Sequence, residues 1–288
     1  MNANCSFHPE SRAGDSRIAP THSLLPTPHS PSMSLFLAEL KRSWIQSIRY
    51  ASEILAGVIG TTVIFYGLFL STRYIAGSGF QFGDRLDAIV IGYVLWSLML
   101  FILGDIAGGL QQEARTGTLE QLFLSPYPAS TVFLMRAASS LLINLLINLS
   151  ILFIIIAFTG SQIAFPPTLF PPLIAVLMGA YGISFAMGSL ALLLKQVQQL
   201  LSIFQFALLF LFTAPVETWT GTARILGWLA PMAPGAGLLR DVMARGVSLD
   251  GLNLVIALLN GLIYLSLGLL LFRFAERETK RRGKLGGY

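Results

Sequence analysis

Residues 137–194 read AASSLLINLLINLSILFIIIAFTGSQIAFPPTLFPPLIAVLMGAYGISFAMGSLALLL and contain no Asp, Glu, Lys or Arg. As a single helix this stretch would run about 87 Å at 1.5 Å per residue, far beyond a hydrocarbon core about 30 Å thick. The segment SQIAFPPTLFPP (161–172) breaks it. A proline inside a helix removes a backbone donor and clashes with the preceding turn, so the paired prolines cannot be helix interior. Two crossings result, one from about Thr131 to Phe158 and one from about Leu173 to Leu194. Neither shows the strict alternation of a barrel strand, and an open sheet cannot cross lipid, so both are helices.

The same test applied outward gives four more crossings. Ile54 to Ser71 precedes the pair, as does Ala88 to Gly104, which continues inward. Leu200 to Pro215 follows and is slightly short; Asn253 to Phe272 is the last. The expected fold is all-α and polytopic, with six transmembrane helices. Composition agrees. Of 288 residues, 54% are hydrophobic and 11% charged, against roughly 25% charged in a soluble domain. Mean hydropathy is +0.70. The net charge of +5 is loop charge on a membrane protein, so no nucleic-acid partner is expected. One cysteine, Cys5, excludes a disulfide framework.

The flanks differ from the core. Residues 1–32 carry five of the 14 prolines and all three histidines, and read as a disordered Pro/Ser-rich tail. Met33 is an alternative start. Residues 33–52 form an interfacial amphipathic helix, with Met33, Phe36, Leu37, Leu40, Trp44 and Ile48 on one face and Arg42, Gln46 and Arg49 opposite. The spans occupy 53–273, and 274–288 is a basic tail. With both ends inside, cytoplasmic segments hold 12 Lys and Arg and outer loops hold 5, Arg240 among the latter. This bias places both termini in the cytoplasm. Val216 to Gly251, half apolar with Trp219 and Trp228, reads as short helices partly re-entrant in the outer leaflet before the last span.

No enzyme constellation is present. The only Gly-Lys pair, Gly283–Lys284, has no phosphate loop before it, so the chain lacks an ATP-binding motif of that type. There is no GxSxG elbow. The residues call for no cofactor and no metal. The spans are expected to lack buried charge, with Asp105 facing the cytoplasmic interface at the inner end of span two. That absence fits a permease powered by another subunit. Gly104/Gly108, Ala175/Gly179 and Ser184/Gly188 are small pairs four apart, read as packing within the bundle rather than dimerisation. Ser139, Ser140, Asn144 and Asn148 are read as packing groups too, with a pathway lining as the alternative.

The cytoplasmic segment between spans two and three is the informative one. QQEARTGTLEQLFLSP (111–126) reads as a short helix, with Gly117 as a turn, Thr118 as cap and Pro126 as stop. Leu119 and Leu122 share a face, while Glu113 and Glu120 leave carboxylates at the surface. The alternative is an ordinary connector. Glu113, Gly117-Thr118-Leu119-Glu120, Leu122 and Pro126 resemble the E-x-x-x-G-T-L-E-x-L-x-x-x-P motif of ABC-2 type permeases, the membrane subunits of ATP-binding-cassette exporters. The wider pattern is similar from about Leu35 to Lys284. This resemblance implies a homodimeric permease in a prokaryotic plasma membrane, the inner one where there are two. It also implies two copies of a separate ATPase subunit. Glu113, Gly117, Thr118, Leu119, Glu120, Leu122 and Pro126 would then transmit ATPase closure, and an amphipathic, lipid-linked or drug-like cargo would leave the cytoplasm. The rival reading is a membrane scaffold or assembly protein that transports nothing.

Overall fold

The structure, a computed structural model, describes residues 31–76, 84–116, 129–161, 163–194, 198–213 and 219–282. All regular structure among them is helical. Helix α1 (Pro31–Arg49) turns at Tyr50 into α2 (Ala51–Ala76). Helix α3 (Asp84–Leu103) runs through a π-helical turn (Gly104–Gly108) into α4 (Gly109–Thr116). There follow α5 (Ala129–Thr159), α6 (Phe170–Leu193), α7 (Gln198–Thr213), α8 (Thr222–Leu229), α9 (Ala233–Met243) and α10 (Gly251–Arg282). Five segments are long and apolar enough to cross a membrane, within α2, α3–α4, α5, α6 and α10. The apolar α7 is shorter, at about 24 Å. The chain is an all-α, multi-pass membrane protein.

The break between α5 and α6 falls where the prolines put it. Pro167 opens a 3-10 turn, and Pro171 and Pro172 sit in the first turn of α6. There a missing backbone donor costs little, because that donor has no intrahelical partner. The inward extension of span two reaches Thr116, so Gln111–Thr116 belongs to α4 rather than to a separate cytoplasmic helix.

Helix α3 is the hub of the core, burying Val90, Leu98, Met99 and Ile102. It is tied to three neighbours by polar groups. The Tyr93 hydroxyl donates to the Thr61 carbonyl of α2 at 2.6 Å. Trp96 Nε1 donates to the Gln205 carbonyl of α7 at 2.9 Å. The Ser97 hydroxyl donates to Asn148 of α5. Satisfied bonds of this kind fix helix register in lipid, where an unpaired polar group is costly. Asn148 and Ser139 each bond to a neighbouring helix, while Ser140 and Asn144 border a cleft.

Helices α6 and α10 run side by side in the same direction: Gly261 faces Ala175, and Gly268 faces Gly182 seven residues on. A Cβ at Gly182 or Gly268 would overlap the other helix's backbone. Parallel neighbours require the chain to return between them, and α7 is the helix that does so. The α6 pairs Ala175/Gly179 and Ser184/Gly188 face other elements of the same chain, as read from sequence. Gly104 and Gly108 differ: a Cβ at either would meet nothing within 4 Å.

The segment before α10 departs from the expected re-entrant loop in one respect. Helix α8 does expose Ile225, Leu226 and Leu229. Helix α9 is instead enclosed by protein, packing on α3, α6 and α10. Arg240 is therefore a buried charge rather than a solvated loop charge. It lies on α9 at 2% exposure and donates to the Phe212 carbonyl at the end of α7. A carbonyl at a helix C-terminus is a fitting partner for a guanidinium. Within the spans themselves the expectation of no buried charge is overturned by Glu276 of α10, at 7% exposure.

Asn260 of α10 holds the α8–α9 turn. Its Nδ2 donates to the Trp228 and Ala230 carbonyls at 2.8 and 3.2 Å, and its Oδ1 accepts from the Met232 amide at 3.2 Å. Met232 needs such support, having a left-handed φ of 62°. Asn260→Leu strands these backbone groups away from water. The expected loss is about 3 kcal/mol, read as a lowered thermal midpoint of the purified chain.

Candidate functional site

Of the seven residues picked out by the motif, Glu113 is described. Gly117, Thr118, Leu119, Glu120, Leu122 and Pro126 lie outside the described residues. Glu113 stands near the end of α4, four residues before Gly117. Helix α4 is seated close against α6: a Cβ at Gly188 would lie 2.8 Å from Leu110 Cδ1.

Glu113 does not point freely into the cytoplasm. Arg136 Nη1 of α5 donates to Glu113 Oε1 at 2.6 Å. Arg136 Nε also lies 3.7 Å from Glu39 Oε2 of α1, an ion pair beyond hydrogen-bond reach. Glu39 is in turn 3.7 Å from Arg42 of its own helix. One guanidinium thus joins three elements. The side chains of Glu39, Glu113 and Arg136 are each at least four-fifths buried. In such surroundings an ion pair interacts more strongly than at a surface, and breaking it leaves a charge with poor solvation.

The linkage extends deeper through rings. The Arg136 guanidinium lies over the Phe133 ring at 5.2 Å. Phe133 meets Phe272 of α10 edge-on at 5.8 Å, and Phe272 meets Phe185 of α6 at 5.4 Å. All three rings are fully buried. Helix α4 is thus linked through contiguous contacts to α1, α5, α6 and α10. Close-packed interiors pass strain on rather than absorbing it.

Helix α1 meets the bundle in a way the helical wheel did not foresee. Its bundle side is the stripe Phe36, Glu39, Leu40, Ser43 and Ser47, at helical spacing, while Leu37, Trp44 and Ile48 are exposed. The Ser139 hydroxyl donates to the Phe36 carbonyl at 3.4 Å. Part of the polar side thus faces protein, and the large apolar side chains are left for lipid, as an interfacial helix requires.

Sequence reading missed Glu39, and it took Arg136 only as a topological charge. A signal for Arg136 existed: it is the last charge before the charge-free stretch 137–194. Nothing in sequence marks Glu39 as its partner 97 positions away. Asp105 is also placed differently from expectation. It is partly buried and accepts from the Ser140 hydroxyl, rather than simply facing the cytoplasm. Among the described residues, no three His, Cys, Asp or Glu come together as a metal site.

No curated protein matches the chain. A family model described as ABC-2 type transporter matches residues 34–244. The match takes in α1 through α9 and the motif segment, and ends before α10. It covers more than half of the chain, and the helical, multi-pass architecture agrees with it. Members are membrane components of ABC transporters, which work with an ATP-binding-cassette subunit. The chain belongs to the ABC-2 type transporter family.

Proposed function

We propose that this chain is the permease of an ATP-driven exporter and that residues 113–126 dock on a separate ATPase subunit. The observation that carries the reading is the burial of Glu113 against Arg136, with Glu39 beside it. A mere connector has no need to tie its first residue to a buried guanidinium that also pairs with a third helix. A segment that must deliver a push does. On this reading two ATPase subunits close on ATP and press on the segment after α4. The Arg136 junction passes the movement to α1 and α5, and the Phe133–Phe272–Phe185 rings pass it to α10 and α6. Leu119 and Leu122 would fill a groove on the ATPase, and Glu120 would meet basic residues there.

The permease acts as a homodimer in a prokaryotic plasma membrane with both termini in the cytoplasm. The exposed apolar side chains of α2, Leu55, Ile59 and Val63 among them, are available to lipid or to the second copy. The cargo is amphipathic, lipid-linked or drug-like, and moves outward. Co-expression with a candidate cassette ATPase tests this reading. A stable complex is expected after detergent purification, and it should be lost when Leu119 and Leu122 are both replaced by Asp. A folded permease that captures no cognate ATPase would favour the scaffold reading instead.

A further inference from the structure

An open cleft of about 340 Å³ lies between α1, α2, α3 and α5. That volume is within the range of small-molecule sites, roughly 300–1,000 Å³. Its walls are of two kinds. Gln46 of α1, Tyr50 of the turn after it and Asn144 of α5 are polar, while Ile54, Phe101 and Ile147 are apolar. The charges are one-signed: Asp105 and Glu53 line the cleft, and among the described residues no Lys, Arg or His does.

Asp105 is the unusual member. It stands in the π-helical turn Gly104–Gly108. Such a turn inserts an extra residue into the helix and is found disproportionately at functional sites. Here the turn keeps Ile106 and Ala107 buried while Asp105 borders the cleft. Its hydrogen-bond partner, Ser140, is a neutral hydroxyl. The nearby guanidiniums are engaged elsewhere, Arg136 by Glu113 and Glu39, and Arg42 by Glu39. A carboxylate within a span, with room beside it and no cation lining that room, is poised for a cation from outside.

Depth and shape narrow the class. Asp105 is 19 residues beyond Leu86, where the apolar span begins. That is about 28 Å along the helix, close to one hydrocarbon thickness. With the termini in the cytoplasm, Asp105 stands at the inner-leaflet headgroup level. The interfacial helix α1 forms one wall at that same level.

We propose that this cleft binds the ammonium head of an amphipathic amine or quaternary ammonium compound drawn from the inner leaflet. The head sits between Asp105 and Glu53, within reach of the Tyr50 and Phe101 rings, whose faces attract cations. The tail lies along Ile54 and Ile147. The assignment of this cleft as the cargo's loading site rests on the exporter reading; the binding itself does not.

The test uses the full chain, without ATPase, in phosphatidylglycerol nanodiscs, with empty discs subtracted. Labelled dodecyltrimethylammonium is titrated, with dodecyl sulfate as the anionic counterpart. Saturable binding of the cation and not of the anion is expected. Asp105→Asn, which keeps a partner for Ser140, should weaken it at least about tenfold. Glu53→Gln, at an exposed position, should weaken it about threefold without touching the fold. Added phosphatidylethanolamine separates the sources: competition makes a lipid ammonium the resident ligand, and no competition makes it a free amphipath. Equal binding by the parent chain and both variants, or equal binding of dodecyl sulfate, overturns the proposal. Such a failure would leave ATPase docking untouched, and a docking failure would leave this binding intact.

Discussion

Gly268→Leu is expected to yield no folded permease, whereas Gly57→Leu on α2 is expected to be tolerated. Both glycines are mid-helix in membrane-spanning segments, so propensity and hydropathy alone predict the same result for both. The surroundings decide otherwise. A Cβ at Gly268 would overlap the Gly182 backbone of α6, and a Cβ at Gly57 would meet nothing within 4 Å. Backbone cannot step aside as a side-chain tip can. Helices α6 and α10 must separate along their length, losing the contact that anchors the bundle on this side. The expected cost is about 3 kcal/mol or more. Monodispersity on size exclusion and the thermal midpoint, with both variants expressed in parallel, check it.

Arg136→Ala should have the largest effect on coupling. It removes the cation that pairs with both Glu113 and Glu39, two largely buried carboxylates. Breaking such a pair costs about 3 kcal/mol. It also cuts the link from α4 to α1 and α5. The expected outcome is a destabilised permease that still binds its ATPase but no longer changes conformation with ATP. Arg136→Lys keeps the charge without the two-nitrogen reach and should recover stability better than coupling. Thermal midpoint and ATP-dependent transport, measured on the same preparations, separate the two effects.

Most of the fold was legible because lipid imposes a simple rule. The charge-free stretch 137–194 and its prolines locate α5 and α6, because each crossing needs length and apolarity and each break needs an excuse. What sequence could not supply is which helix lies beside which. Ala175 stands out on α6, yet its partner Gly261 on α10 is an unremarked glycine among 27. Arg240 misled for a related reason. A charge in a short, half-apolar segment looks solvent-bound until three helices are seen around it. At the candidate site, the motif identified Glu113, but its partners Arg136 and Glu39 come from two distant segments. Asp105 was read from sequence as facing the cytoplasmic interface; the π turn and the cleft beside it were not visible there.

The central claim is that a cassette ATPase drives this permease through the segment after α4. ATP hydrolysis by the reconstituted permease–ATPase complex tests it most directly, comparing the parent chain with Glu120→Lys. The account predicts that the variant permease stays folded while permease-stimulated hydrolysis falls at least about tenfold, the equivalent of one disrupted charge contact at the docking surface. Unchanged hydrolysis and transport in the Glu120→Lys complex would contradict it.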